Sequence, residues 1–490
     1  MNALIVGHET RVLARTRAFG WIMLLLAAAM IVGAWSGRAE LKRQQAGAQA
    51  VVAAATATRD KLRHDLGAYE QRMAAAGRPV QIAVYSHSPR GPIPQGTNAG
   101  SVGLKSPAIA VLPPTGLAAF SVGQNDLQLG YIPVTTAGIA ATLTASELGN
   151  PVNLRRGTFD IAFVVIFLLP IFIIAITYDM LARENERGTL AMVLSHPVRT
   201  STLIAGKVAA RFGIILAVVL AFGLGSLLAV GSRLDAPDTW LRFGLWLGAT
   251  LLYALFWFGL AAIVNACGRR SSTNGIILAG SWLLLVIVVP TLVSIVATTA
   301  YPAPSRFDFI TASRTAQTSS ERQYMQALSE YYYDHAEYAP EVRTNDFLTV
   351  AMAKNEAVEK AVQPLHDRFR SQLERQEQMV GSFQYLSPAI MMQRLLNGVS
   401  GTGATRYADF TRQVEAFRTE WVDYFTVRFL LDKPLASTEF PDFPRFHHVE
   451  EPFGAVLRRL ASSLAGLFAV AGLAAWVAAL LLRRYRVVGS

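Results

Sequence analysis

One cysteine, Cys267, occurs among 490 residues, which excludes an internal disulfide and any metal site built on several thiolates. It closes an apolar run and reads as a small packed residue rather than a reactive thiol. Charge is also scarce, at 16% of residues against 52% hydrophobic. That balance is too apolar for an ordinary soluble enzyme and is expected of an integral membrane protein. Acidic residues are the scarcer sign, 34 against 45 Lys and Arg, for a net charge of +11. The basic excess lies at the ends of apolar runs and is not gathered with stacking aromatics, so it speaks for membrane anchoring and against nucleic acid.

Catalytic and nucleotide-binding signatures are missing as well. A P-loop needs two glycines at fixed spacing before Lys and Ser or Thr, so that backbone amides cradle phosphate. The nearest stretch has Ser201 in place of the first glycine and Val208 after Gly206 and Lys207. Within the apolar runs, Asn265, Cys267 and scattered Ser and Thr make no Ser/His, Cys/His or paired-carboxylate site of the kind a membrane-embedded enzyme requires. His447 and His448 lie near Glu450 and Glu451, but the spacing matches no metal signature and reads as a solvated loop. No metal site and no cofactor held by this chain are expected.

What is present is a series of apolar runs long enough to span a bilayer at about 1.5 Å per residue. Six are expected: residues 18–35, 159–178, 212–230, 243–264, 275–297 and 460–482. Residues 1–17 alternate Leu4, Ile5, Val12 and Leu13 with His8, Glu9, Arg11, Arg15 and Arg17, which suits a helix lying in the interface. A cleaved signal peptide competes for the first run, with Ala34 and Ser36 resembling a cleavage site; the apolar length favours retention. Pro170 and Pro290 predict kinks in the second and fifth spans, while Gly213, Gly223 and Gly225 allow close packing of the third. In the fourth span Tyr253, Phe256, Trp257 and Phe258 form an aromatic stripe that fits helix packing or lipid contact better than a substrate path.

Two long insertions have water-soluble character. Residues 36–158 open with an Ala-rich helix continuing outward over Gln44 to Met73, followed by Pro- and Gly-rich loops in which Gln81 to Tyr85 is a candidate strand. Residues 298–455 read as helices over Ser319 to Tyr338, Asn345 to Gln363, Pro364 to Met379 and Tyr407 to Leu431. The aromatics Tyr331, Tyr332, Tyr333, Trp421, Tyr424 and Phe425 suit a helical core or membrane surface. The fold class is therefore mainly α: a polytopic membrane protein with six transmembrane helices and a large, mostly helical domain built from two insertions on one side, an extracytoplasmic domain if the termini and the segment between spans two and three are cytoplasmic.

The segment 179–211 is the one long polar interruption between two spans. Asp179, Arg183 and Arg187 follow one another at helical spacing with Glu184 and Glu186 between them, so a short charged helix is predicted. Gly188 breaks it, and Thr189 can cap a second helix carrying Leu190, Val193 and Leu194 up to Ser195 and Pro197. A helix, turn, helix on the membrane face with charges on top is a surface for a protein partner.

This segment, Glu184 to Leu190, Leu194 to Arg199 and Leu203 to Lys207, resembles the cytoplasmic loop of ABC-2 type transporter permeases. The resemblance implies that Asp179, Arg183, Glu184, Glu186, Arg187, Gly188, Thr189 and Leu190 form a coupling element that docks into a separate ATP-hydrolysing subunit. A second resemblance lies in Leu386 to Ala389, Gly401 to Gly403, Arg406 to Phe410, Phe417, Arg418 and Trp421, which is similar to the permeases carrying the domain called DUF3526. Those proteins place large extracytoplasmic insertions between spans one and two and between spans five and six.

Together the resemblances imply a permease subunit in the bacterial cytoplasmic membrane with both termini cytoplasmic. Two ABC ATPase subunits would bind ATP and Mg, and a second permease, a homodimer partner or a paralogue, would complete the complex. A periplasmic partner is compatible with the insertions, and export is the expected direction. Positive charge follows the cytoplasmic assignment at Arg183, Arg187, Arg199, Lys207, Arg211, Arg269, Arg270 and Arg483. Arg155, Arg156, Arg233 and Arg458 flank spans on the other side, so the orientation leans on the resemblance. The alternatives are ATP-driven mechanotransmission without transport, or a receptor acting through its extracytoplasmic helices. A receptor would need an output domain, and the longest inner segment has only about thirty residues.

Overall fold

The computed structural model describes residues 2–83, 93–123, 130–137, 159–186, 200–230, 236–267, 270–302, 347–430 and 433–484, with short stretches between 311 and 334. Helix α1, Asn2–Arg15, stops at the extended Thr16, and α2 then runs unbroken over Arg17–Ala75. A first apolar third and an Ala-rich remainder thus share one rod, because no proline separates them and the glycine between them costs only about 1 kcal/mol. Gly37 lets this rod touch a loop of the first insertion: a Cβ there would sit 2.1 Å from the Ala119 carbonyl oxygen.

After α2 come the short α3, Ala99–Lys105, and an antiparallel pair, β1, Ala108–Val111, and β2, Tyr131–Val134. The candidate strand Gln81 to Tyr85 is not seen over its described residues 81–83. The reason is local: the Ala83 N–H donates to Thr97 Oγ1 at 2.9 Å and its carbonyl accepts from Asn98 Nδ2 at 3.0 Å, so side chains occupy the groups a ladder would use.

The remaining helices are mostly spans. Helix α4 begins at Ile161–Phe163, widens to a π-helical turn over Val164–Leu168 and closes again over Leu169–Thr177. Helix α5 is Ala182–Glu186, α6 is Thr200–Val230 and α7 is Pro237–Ala266. Helix α8 repeats the design of α4: Ser271–Trp282, a π-helical turn over Leu283–Val288, then Val289–Ala300. The second insertion supplies α9, Phe347–Ser382, α10, Pro388–Ser400, and α11, Ala404–Leu430, before α12, Phe453–Arg484. Among the described residues six helices are long and apolar enough to cross a membrane, namely α2, α4, α6, α7, α8 and α12.

Both expected kinks take the form of wide turns. Pro170 and Pro290 each stand second in the α-helical segment after the π-helical turn. A proline gives up its own helical hydrogen bond and crowds the carbonyl four residues back, and a widened turn makes room for the ring. Pro364, in contrast, does not end a helix; α9 passes through it. Both sides of Pro364 are clamped to α11, Glu359 by Arg418 at 2.5 Å and Arg370 by Glu415 at 3.4 Å, which holds the rod in register. The expected helix Ser319 to Tyr338 lies largely outside the described residues.

The two insertions share one core. Leu66 and Tyr69 of α2, Val102 of α3, and Ala110 and Val134 of the strands pack with Phe410, Phe417, Trp421 and Phe425 of α11. Trp421 is fully buried, and its indole N–H donates to the Gly103 carbonyl at 3.3 Å, so it is a core residue. Tyr253, Phe256, Trp257 and Phe258 are likewise buried among the spans.

Helix α10 joins domain to bundle. Its Met392, Leu395, Leu396 and Val399 belong to the same apolar core as the spans. The turn before it is tied down by Gln384, whose Oε1 accepts from Ser463 of α12 at 2.5 Å, and Ser387 donates to the Leu285 carbonyl of α8. At its other end Arg242 of α7 donates to the Val399 carbonyl at 3.1 Å, and Gly401 ends the helix with φ 67°.

Candidate functional site

The stretch singled out by charge spacing starts where α4 ends. Its backbone turns through residues 178–181 and enters α5. The turn is held from inside by one side chain, Asn265 of α7, which is 1% exposed. Asn265 Nδ2 donates to the Thr177 carbonyl at 2.9 Å and Oδ1 accepts the Leu181 N–H at 3.1 Å, so a single amide closes the turn on both strands. Beneath it, Met180, Leu181, Leu203, Ile204 and Leu482 form a small apolar core of their own.

Charges complete the mount. Lys207 of α6, with 7% of its side chain exposed, pairs with Glu184 and also donates to the Met180 carbonyl at 3.3 Å. One turn on, Arg211 pairs with Glu9 of α1 at 2.8 Å, both side chains about nine-tenths buried. Glu186 reaches the first turn of α8, where its carboxylate accepts the Ser271 N–H at 2.8 Å and the Ser271 hydroxyl at 2.7 Å. Those bonds hold the Glu186 pKa below the ordinary carboxylate value, the backbone one most of all. An acidic group at a helix N-terminus also meets the favourable end of the helix dipole.

The expected site residues therefore divide. Glu184, read as a charge on top, is a partly buried strut to α6, while Glu186 is exposed as expected and bonded to α8. Arg183 is the outward cation, 55% exposed at the side chain, and its ion pair among the described residues is to Asp179 in the preceding turn, at 3.5 Å. Asp179 is 21% exposed. Arg187, Gly188, Thr189 and Leu190, with the second helix up to Pro197, lie outside the described residues.

Sequence reasoning placed Lys207 and Arg211 in the coupling segment without giving them a role, and did not bring Asn265, Ser271 or Glu9 to this site. The available signals were a buried-type amide closing an apolar run and two cations four apart at the start of another. Cys267, expected to be packed, is instead exposed at the end of α7 beside the same site. Its helix ends one residue earlier, at Ala266.

Chemically the arrangement is a mount. The turn and α5 together are bonded to α6 through Glu184, to α7 through Asn265 and to α8 through Glu186, which ties this element to three candidate spans. Elsewhere, among the described residues, no group of three or more His, Cys, Asp or Glu is placed to hold a metal ion. His448 is buried near Glu450, its Nε2 3.4 Å from the carboxylate, and burial pushes its pKa down.

Comparison with known proteins places this geometry in context. A family described as ABC-2 family transporter protein matches residues 3–485. The chain is 32% identical over 127 residues to the probable ABC transporter permease protein NosY of Pseudomonas aeruginosa, covering 25% of this chain and 46% of that protein. It is 28% identical over 168 residues to the protein of the same name from Stutzerimonas stutzeri, covering 33% and 52%. The chain thus spans about half the length of the curated relatives it matches.

Proposed function

Because the chain belongs to the ABC-2 family of transporter proteins, we propose that it is the membrane-spanning subunit of an ATP-driven complex and that α5 is where a separate ATPase engages it. The observation that carries this reading is the mount just described. A five-residue helix with one outward cation, Arg183, and the turn that leads into it are anchored to three spans by three different side chains. Such an element has little use as a passive loop and much use as a handle.

In this reading the α5 end faces the cytoplasm, two ATPase subunits bind ATP and Mg, and a second permease completes the membrane half. Closure of the ATPase pair moves α5, and α6, α7 and α8 follow. The two-insertion domain stands on the opposite side, as in the DUF3526-bearing permeases, and exchanges substrate there, with export as the direction. ATP-driven mechanotransmission is the second reading. It is favoured by α2, which carries motion from its first, span-forming third straight into the domain core through Leu66 and Tyr69.

Co-expression with candidate ABC ATPases and purification in lipid nanodiscs tests the proposal. A stable complex whose ATP hydrolysis exceeds that of the isolated ATPase is expected. Failure of every ATPase to bind, or binding with unchanged hydrolysis, overturns it.

A further inference from the structure

Helices α4 and α8 contain the same device, a π-helical turn followed by proline, and close it differently. In α4 the fully buried Tyr253 of α7 donates its hydroxyl to the Ile166 carbonyl at 2.9 Å, four residues before Pro170. That joint is locked by the bundle itself. In α8 the Val289 N–H bonds five residues back to the Leu284 carbonyl. The next carbonyl in that wide register, Leu285, faces Pro290, which has no N–H to give. Its donor is the hydroxyl of Ser387, a residue of the second insertion with no exposed surface.

The two halves of α8 are held by different bodies. Before the joint, Ser271 is bonded to Glu186 of α5. After it, the Tyr301 carbonyl following α8 accepts from Gln376 of α9 at 2.5 Å. The lower half therefore belongs to the docking element and the upper half to the insertion hairpin of α9 and α10. The π-helical turn lies between them.

We propose that Ser387 is a latch on this hinge: its hydroxyl, by filling the carbonyl that Pro290 leaves without a donor, fixes the angle between the two halves of α8 and so ties the position of the two-insertion domain to that of α5. Ser387 is a positioning residue, acting through α8. The inference deepens the proposed function and rests on it for the statement that force enters at α5. The hinge itself is a property of this chain alone.

Ser387 also caps α10, its Oγ accepting the Ala389 N–H at 3.1 Å, and the test must separate the two roles. Glycine is tolerated at a cap position far better than alanine, but neither can donate to Leu285. Threonine keeps both functions. Spin labels are placed on the exposed Ile276 and Ile295, one on each side of the joint, in full-length protein carrying Cys267→Ser. In a straight helix they stand about 28 Å apart along the axis.

Distances are measured in nanodiscs without any ATPase. One narrow distribution is expected for the wild type and Ser387→Thr, and loss of that single distance, alike in both, for Ser387→Gly and Ser387→Ala. A change in Ser387→Ala alone would mean that Ser387 only caps α10, and no change in any variant would mean that the joint is fixed without it; either overturns the latch. Adding the ATPase and ATP should move the wild type toward the Ser387→Gly distribution. If the variants behave as expected while the wild type ignores ATP, the latch stands and the entry of force at α5 is overturned.

Discussion

The Glu186 carboxylate caps the first turn of α8 by accepting both the N–H and the hydroxyl of Ser271. The bond is to the charged form, which is why the Glu186 pKa lies below its ordinary value. A depressed carboxylate pKa makes the attachment fully present above the ordinary carboxylate range, and the attachment is lost as pH falls through the depressed value. Hydrogen exchange at the amides of residues 271–275, corrected for intrinsic rate, should be steady at neutral pH and rise on strong acidification. In Glu186→Gln it should be raised already at neutral pH and lose that dependence.

Arg183 is the outward cation of α5, and its partner Asp179, in the turn before the helix, holds it only at 3.5 Å. Exposed pairs of this kind add little to stability, about 0.3–0.5 kcal/mol. Arg183→Glu should therefore leave thermal stability and membrane content unchanged while weakening ATPase engagement. Loss of about 1.4 kcal/mol at the interface corresponds to about tenfold in affinity. Titration of permease-stimulated ATP hydrolysis reads it directly.

Glu184 gives the opposite pattern. Lys207, with 7% of its side chain exposed, depends on it for charge compensation. Breaking a buried pair by removing one partner costs about 3–5 kcal/mol, and since Glu184 is 27% exposed the lower end applies. Glu184→Ala should lower unfolding stability by about 3 kcal/mol, seen as a drop in Tm of the permease alone. A variant with unchanged Tm but reduced hydrolysis would make Glu184 a docking residue instead.

The spans were legible in the sequence because about 20 apolar residues leave few other places to go. The proline joints were legible as kinks, from Pro170 and Pro290, but not as wide turns, since those depend on Tyr253 and Ser387 arriving from elsewhere in the chain to satisfy carbonyls. The same limit hid the mount. Charge spacing located α5, yet whether Glu186 points to solvent or to Ser271 is decided by a contact 85 residues away. The common core of the two insertions was illegible for that reason too: Trp421 meets Gly103 across 318 residues. Pro364 misled because local preference predicts a break where packing against α11 overrides it.

Cys267, exposed beside the site and alone of its kind in the sequence, is a built-in reporter of sidedness. If the α5 end is cytoplasmic, a membrane-impermeant maleimide should label inverted vesicles and spare intact spheroplasts. Labelling of spheroplasts would reverse the proposed topology and place α5 where no ATPase could reach it.

Tyr253 offers a test of the α4 joint that leaves packing intact. Its ring lies edge-on to Trp257 with centroids 6.2 Å apart, and Tyr253→Phe keeps that contact while removing the donor to Ile166. A buried carbonyl left without a partner costs about 1–3 kcal/mol, although hydrogen bonds between membrane helices average nearer about 0.6 kcal/mol where the backbone can find another donor. The residue four after Ile166 is Pro170, which has no N–H, but Leu169 bonds five residues back to Val164, and in that wide register Ile171 faces Ile166. A loss of about 0.6–3 kcal/mol is therefore expected in reversible unfolding. Because the wide register gives residue 170 to Val165, Pro170→Ala supplies no N–H to Ile166, and Tyr253→Phe should cost about the same in that background as alone. A markedly smaller cost there would show that the turn closes to the four-residue register once the proline is gone.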